Sequence, residues 1–221
     1  MLDKKNFYIN GKWVSPEEPR NYKVIDPSNE EPCAEISLGG KKDVDKAVSA
    51  AKKAFESWAF TKKEERLELL EKLYVIYKKR WAEMAKLISL EMGAPIKFST
   101  EMKTATGAGH IKSFKQILKD FKFEKDLGEE KNNQKLLYEP KGVCALITPW
   151  NWPINQVNLK VIPALASACT VVLKPSEIAP LSSMLLAEMI DEAKFPSGVF
   201  NLLNGDGAIT GNALTSHPDI N

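Results

Sequence analysis

The spacing of apolar positions changes period along this chain, and each change predicts a different kind of element. Phe7 to Val14 reads FYINGKWV, two short β-prone runs around Asn10-Gly11. Asn-Gly supplies the positive φ angles of a two-residue turn, so a hairpin is predicted. Tyr22 to Asp26 reads as a further strand, ended by Asp26-Pro27 and the polar SNEEP. Val44, Ala47, Val48, Ala51, Ala54, Phe55 and Trp58 then recur at three- and four-residue steps and form one helical stripe. Thr61 with Glu64 fits a capping box. Leu67, Leu70, Leu73, Ile76, Tyr77, Trp81, Met84, Leu87 and Ile88 continue a stripe that ends at Gly93, a C′ residue. A third helix is predicted from about Ile96 to Phe121, and its small-residue middle, Ala105 to Gly109, suits close packing against a neighbour.

Residues 124 to 133, EKDLGEEKNN, read as a surface loop, and beyond them strands alternate with helices. Strands are predicted at Lys135 to Glu139, Val143 to Thr148, Thr170 to Lys174 and Val199 to Leu203. Helices are predicted at about 154 to 168 and 181 to 194. The last three strands and their two helices make a βαβαβ unit, which favours a parallel sheet with right-handed crossovers. Unbroken apolar runs such as VCALI and TVVL suit strands covered on both faces. Gly205-Asp206-Gly207 and Gly211 follow the last strand and open another short helix.

Composition narrows the function classes. With 221 residues and 43% hydrophobic content, the chain can bury a real core as one large domain or two small ones. Its 31 basic and 29 acidic residues leave a formal charge of +2, and the basic residues are scattered among glutamates. That argues against a nucleic-acid footprint or a polybasic membrane patch. The start of the chain has no signal-peptide core, and the apolar stretches are too short or too broken to span a bilayer. Three cysteines, an odd number, argue against a disulfide framework and for a reducing, cytoplasmic compartment.

The βαβαβ unit invites a dinucleotide, but the first strand is followed by TPWNWP and not by GxGxxG. The glycines come later, at 205, 207 and 211. By themselves they fit a plain strand-to-helix loop as well as a phosphate cradle. Lys174 and Glu177 lie just past a buried strand, where an ammonium can donate to a ribose hydroxyl and a carboxylate can accept from one. A surface ion pair around a turn is the alternative. Asn151, between two tryptophans, is either a donor to a developing oxyanion or the cap of the next helix. Cys144 and Cys169 sit in apolar stretches that suit inert thiols, and Cys33 follows a proline in a polar segment. His110 and His217 fit no metal-ligand spacing.

The wording of the chain resembles the NAD(P)-dependent aldehyde dehydrogenases throughout its length. FYINGKWV, YKVIDPSNEE and EMGAPI occur in the family's order. GVCALITPWNWP, LKPSE, FPSGVFNLLNGDG and SHPDI are the specific matches. The resemblance implies a three-layer α/β/α, Rossmann-like parallel sheet with an N-terminal hairpin and helical block, in an oxidoreductase that converts an aldehyde to a carboxylic acid. Asn151 matches the family's oxyanion-hole amide. Thr148, Pro149 and Trp150 match the turn beside the cofactor. Lys174 and Glu177 match the adenosine-ribose contacts, and Gly207 and Gly211 match the loop near the adenine. Trp152 falls where an aromatic borders the substrate tunnel, with Asn155 and Asn158 making its wall polar. Glu177 disfavours a 2′-phosphate, so the implied cofactor is NAD, while Lys174 and Ser176 leave NADP open.

In that family a cysteine thiolate attacks the aldehyde and a glutamate serves as general base, and both should fall beyond Asn221. The expectation is therefore an incomplete enzyme, with its catalytic domain absent and a sheet edge and apolar helix faces exposed. Residues 1 to 123 would be the hairpin and helices of the cofactor domain, and 143 to 221 its βαβαβ part. Residues 124 to 142 would project to pair subunits in a homodimer or homotetramer. Within enzymes, the rival is a relative acting on a semialdehyde or acyl-CoA. The alternative of another class is a non-catalytic chain that binds nucleotide or a longer partner.

Overall fold

The computed structural model describes residues 1 to 128 and 134 to 221. The elements run β1 (Leu2–Lys4), β2 (Phe7–Ile9), β3 (Lys12–Val14), β4 (Asn21–Asp26), β5 (Glu31–Ser37), α1 (Lys41–Trp58), α2 (Lys63–Lys79) and α3 (Trp81–Met92). They continue with α4 (Ile96–Phe98), a π-helical turn at Ser99–Lys103, α5 (Thr104–Asp120), β6 (Glu124–Asp126), β7 (Lys135–Leu137) and β8 (Val143–Ile147). The last are α6 (Pro153–Ala166), β9 (Thr170–Lys174), α7 (Leu181–Glu192), β10 (Phe200–Leu202), a second π turn at Gly207–Gly211 and α8 (Asn212–Thr215).

The central sheet has the order β3-β2-β10-β9-β8. Strands β8, β9 and β10 are parallel, as the βαβαβ pattern requires. The sheet is not wholly parallel, however. The hairpin forms at Asn10 and Gly11, both at positive φ (54° and 75°), and β2 pairs antiparallel with β10 through Leu202 and Tyr8. One edge of the parallel unit is thereby covered by the chain's own N-terminus, because an uncovered row of N–H and C=O groups needs a partner. The other edge is β8. There the Asn221 N–H donates to the Val143 carbonyl (3.0 Å), and Asn221 Oδ1 accepts from the Val143 N–H (3.1 Å).

Strand alternation sorts the core into the two faces of a three-layer sandwich. Val171, Leu173, Phe200 and Leu202 pack with Ile162 and Leu165 of α6 and Leu185 and Met189 of α7. Val172, Leu203 and Val143 pack on the opposite face against Val44, Ala47, Val48 and Ala51 of α1. At roughly 1.5–3 kcal/mol for each fully buried large apolar side chain, these two layers hold the strand ends in fixed positions.

Several elements depart from the sequence reading. A second sheet, β1-β5-β4, includes two strands the pattern hid: β1 is polar and exposed, and β5, EPCAEIS, carries a proline and two glutamates. The long stripe from Leu67 to Gly93 is two helices, broken at Arg80. The Arg80 guanidinium donates to Glu83 (2.8 and 2.9 Å) and to Glu188 of α7 (2.7 Å). The Thr61–Glu64 capping box does not form. Lys62 is the N-cap, and Thr61 Oγ1 donates instead to the Trp58 carbonyl (2.7 Å). Gly93 does end its helix in the left-handed region, φ 72°.

The third predicted helix is interrupted by the π turn before α5. A Cβ at Gly107 would collide with the Tyr77 hydroxyl, so α5 packs closely there, as its small residues suggest. Glu124–Asp126 is a strand paired with β7, not loop. Residues 129–133 of the expected loop lie outside the described part. Among the described residues no helix is long and apolar enough to cross a membrane.

Candidate functional site

Register fixes where the candidate residues lie. Ile147 pairs with Lys174, and Leu202 with Leu173, so the parallel strands end level with one another. The turn 148–152, the turn 174–177 and the glycine loop 204–211 therefore leave the sheet at one end. They are also tied together. The Thr148 N–H donates to the Lys174 carbonyl (3.2 Å), the Leu203 N–H donates to the Leu173 carbonyl (3.0 Å), and Lys174 Nζ donates to the Gly205 carbonyl (2.6 Å). Carboxyl ends of parallel strands form the crevice where such sheets take ligands.

Thr148 is buried, and its Oγ1 has no hydrogen-bond partner. Pro149, Trp150 and Asn151 are exposed. The choice between cap and free donor at Asn151 is resolved by α6, whose N-cap is Trp152 with Pro153 in the first turn and no side-chain cap bond. The Asn151 carboxamide donates to no acceptor among the described residues. Its main-chain carbonyl accepts from Lys103 Nζ (3.1 Å). That lysine also lies 3.6 Å from the centroid of the Trp152 ring. Lys103 went unnoticed in the sequence; it is buried at the end of the π turn, just before α5.

Lys174 is 3% exposed, and its Nζ also donates to the Pro175 carbonyl (2.9 Å). Glu177 Oε2 is 3.7 Å away, a loose pair that leaves the half-buried carboxylate with acceptor capacity. Burial pushes the Lys174 ammonium below its ordinary range, against the opposing pull of Glu177 and Asp206. Ser176 Oγ accepts from the Ile178 N–H (3.3 Å), which shapes the turn and leaves its own proton to donate.

The glycine loop is held from outside. Arg20 donates to Asp206 Oδ2 (2.8 Å) and to the Gly39 carbonyl (2.7 Å), and Thr210 Oγ1 donates to the same carbonyl. Asp206 Oδ1 caps the π turn by accepting from the Ile209 N–H (2.6 Å). Burial alone would raise the Asp206 carboxyl, but that N–H and the Arg20 guanidinium outweigh it and hold it below the usual range. A side chain at Gly205 would collide with Thr210. A Cβ at Gly207 would meet no atom within 4 Å, and one at Gly211 would lie 4.0 Å from the Lys174 stem. Gly207 thus borders open space, and Gly211 lies against the stem of the fixed Lys174 cation. Arg20 had no local signal, since its partner is 186 residues away.

Trp152 is half-buried and meets Phe98 edge-on, with centroids 6.2 Å apart. Asn155 lies farther along α6, where its Oδ1 accepts from His110 Nε2–H (2.7 Å). Asn158 is no part of that wall. It is fully buried and donates to the Gly107 carbonyl (2.9 Å), joining α5 to α6. Among the described residues, no group of three or more His, Cys, Asp and Glu could hold a metal.

Residues 13–221 match the aldehyde dehydrogenase family. A 3-succinoylsemialdehyde-pyridine dehydrogenase of Pseudomonas sp is 48% identical over all of this chain and 46% of its own length. The crystal structure of an aldehyde dehydrogenase from Bartonella henselae superposes with a TM-score of 0.98 at 58% identity, over 100% of this chain and 46% of that one. Aldehyde dehydrogenase C of Pseudomonas syringae, a cysteine-to-alanine mutant complexed with NAD+ and octanal, gives 0.94 at 43% identity, over 98% of this chain and 44% of that one. The chain spans about half the length of these relatives. It belongs to the aldehyde dehydrogenase family.

Proposed function

We propose that this chain forms the cofactor crevice and the oxyanion donor of an enzyme that oxidises an aldehyde to a carboxylic acid with NAD. The observation that carries the reading is the free carboxamide of Asn151 at the same sheet end as Lys174 and Glu177. A relative was captured with both NAD+ and an aldehyde. The residues here fit NAD: Thr148 Oγ1 lacks a partner, Gly207 borders open space, and Lys174 and Glu177 offer one donor and one acceptor.

NAD supplies an acceptor for the two electrons and the hydrogen that leave the aldehyde carbon. Lys174 donates to a ribose hydroxyl and Glu177 accepts from one. Thr148, Pro149 and Trp150 line the turn beside the cofactor, and Gly207 and Gly211 leave room near the adenine. Asn151 donates to the carbonyl oxygen as attack on the carbon gives it negative charge, the donation an oxyanion hole supplies. The attacking thiolate does not come from Cys33, Cys144 or Cys169. Cys33 belongs to β5 in the other sheet, while Cys144 and Cys169 lie at the amino ends of β8 and β9. We assign the thiol, and the base that activates water to hydrolyse the thioester, to the part of the relatives that this chain does not span.

Glu177 repels a 2′-phosphate and favours NAD over NADP, while Lys174 and Ser176 supply donors that NADP could also use. The His110–Asn155 pair and Trp152 make a partly polar tunnel wall, which suits an aldehyde carrying a polar group such as a semialdehyde. Leu136, Leu137 and Tyr138 on and beside β7 are exposed. That supports residues 124 to 142 as the segment that pairs subunits into a homodimer or homotetramer. The free thiols of Cys33, Cys144 and Cys169 support a reducing, cytoplasmic setting.

The test is NADH formation by the enzyme expressed from its whole gene, across a panel that includes semialdehydes and octanal. Aldehyde-dependent NADH supports the reading, with the semialdehydes giving the higher kcat/KM. No NADH with any aldehyde refutes it.

A further inference from the structure

Lys103 is a charged side chain in an improbable place. It is 3% exposed and has no carboxylate partner among the described residues. Its ammonium is balanced only by the Asn151 carbonyl (3.1 Å), the face of Trp152 (3.6 Å) and the more distant ring of Phe98 (5.5 Å). Removing an ammonium from water without a counter-ion costs several kcal/mol, which a carbonyl and ring faces offset only in part. A buried cation of this kind is a poor device for stability. Lys103 is also the last residue of the π turn Ser99–Lys103, where the Thr104 N–H reaches back to the Ser99 carbonyl. Such turns recur at functional sites because they re-aim a side chain without ending the helix. The turn is anchored in its own right: Trp81 Nε1 donates to the Thr100 carbonyl (3.0 Å), and Ser99 Oγ to the Ala94 carbonyl (3.4 Å).

From this geometry we infer that Lys103 positions the oxyanion donor. One ammonium grips the main chain of Asn151 and the ring of Trp152, so the carboxamide and the tunnel wall are set together by an element remote in sequence. The inference rests on the proposed role of Asn151. Lys103 is a positioning residue, not a catalytic one, because its contacts are with the turn and not with the reacting atoms. Nothing in the turn replaces it: Pro149, Trp150 and Asn151 are exposed, and the Asn151 side chain makes no bond to the protein among the described residues.

The test uses the enzyme expressed from its whole gene, with Lys103→Met, Lys103→Arg, Asn151→Ala and the double variant Lys103→Met/Asn151→Ala. Methionine keeps the volume and removes the donor. In Lys103→Met, kcat should fall roughly ten- to a hundredfold, the cost of a misplaced catalytic group. The melting temperature should hold or rise, and the NAD Kd and aldehyde KM should change less than about threefold. Lys103→Arg, which keeps a donor, should recover part of kcat. In the Asn151→Ala background, Lys103→Met should cost less than about twofold more, since its effect passes through Asn151. If methionine is not tolerated by the fold, Lys103→Leu, which also removes the donor, carries the same cycle.

A wild-type kcat in Lys103→Met overturns the inference, as does a loss that adds in full to that of Asn151→Ala. A fall in kcat matched by a fall in melting temperature and NAD affinity overturns it in favour of a purely structural lysine. A wild-type enzyme that forms no NADH from any aldehyde refutes the proposed oxidation itself and takes the inference with it.

Discussion

The two ends of the same three parallel strands are built from similar apolar cores and have opposite chemistry. At the amino ends, most polar groups are consumed by the protein, although the buried Thr170 Oγ1 is left without a partner. Trp58 Nε1 donates to the Cys169 carbonyl (3.1 Å), the Thr170 N–H to the Gly142 carbonyl (3.2 Å), and Asn221 takes both polar atoms of Val143. Gly142 has φ 133° and a side chain there would collide with Asn221, so this end is closed against ligands. Even the thiols are turned on each other: Cys144 contacts Cys169, and that contact with burial pushes the Cys144 thiol up. At the carboxyl ends, polar groups are held by the protein yet not used up. Asn151 is fixed through its main chain with its carboxamide free, and Lys174 is clamped by two carbonyls beside a carboxylate with acceptor capacity to spare. The two strand ends thus differ in how their polar groups are used, and that difference locates the candidate chemistry.

Substitutions at the two ends break this contrast to different degrees. The largest effect is expected from Asn151→Ala, which should lower kcat by about 10²–10³ while leaving NAD affinity unchanged, read by steady-state kinetics and NAD titration. Lys174→Ala should come next. It removes a charged donor and should raise the NAD Kd roughly ten- to a hundredfold, with less effect on kcat at saturating NAD. Glu177→Gln should be smaller still. It removes the repulsion toward a 2′-phosphate and should move the NADP/NAD ratio of kcat/KM several-fold toward NADP. Cys169→Ala at the closed end should cost about 1 kcal/mol of stability by denaturant titration and leave kcat and NAD Kd within about twofold. A catalytic loss from Cys169→Ala equal to that from Asn151→Ala would erase the contrast.

What could be read from the sequence was local. The hairpin turn at Asn10-Gly11, the stripe of α1, the strands VCALI and TVVLK, and the placing of Asn151, Lys174 and the glycines at strand ends all follow from short patterns. The features that escaped depend on distant partners or on geometry without a composition cue. β5 is hidden because Glu31, Pro32 and Glu35 interrupt its alternation, and its pairing with β1 and β4 supplies what the pattern lacks. Thr61 looked like a cap but bonds backward to Trp58. Asn158 looked like a tunnel residue, yet the helical phase of α6 turns it toward Gly107. Arg20 and Lys103, which brace the glycine loop and the Asn151 turn, are ordinary basic residues until the chain folds.

The most direct test of the contrast is amide hydrogen exchange of the enzyme with and without NAD. Peptides covering 148–152, 174–177 and 205–211 should gain protection, while those covering 141–144 and 167–170 remain as they were. Protection confined to the amino-end peptides, or none at any strand end with NAD at saturation, would contradict the account.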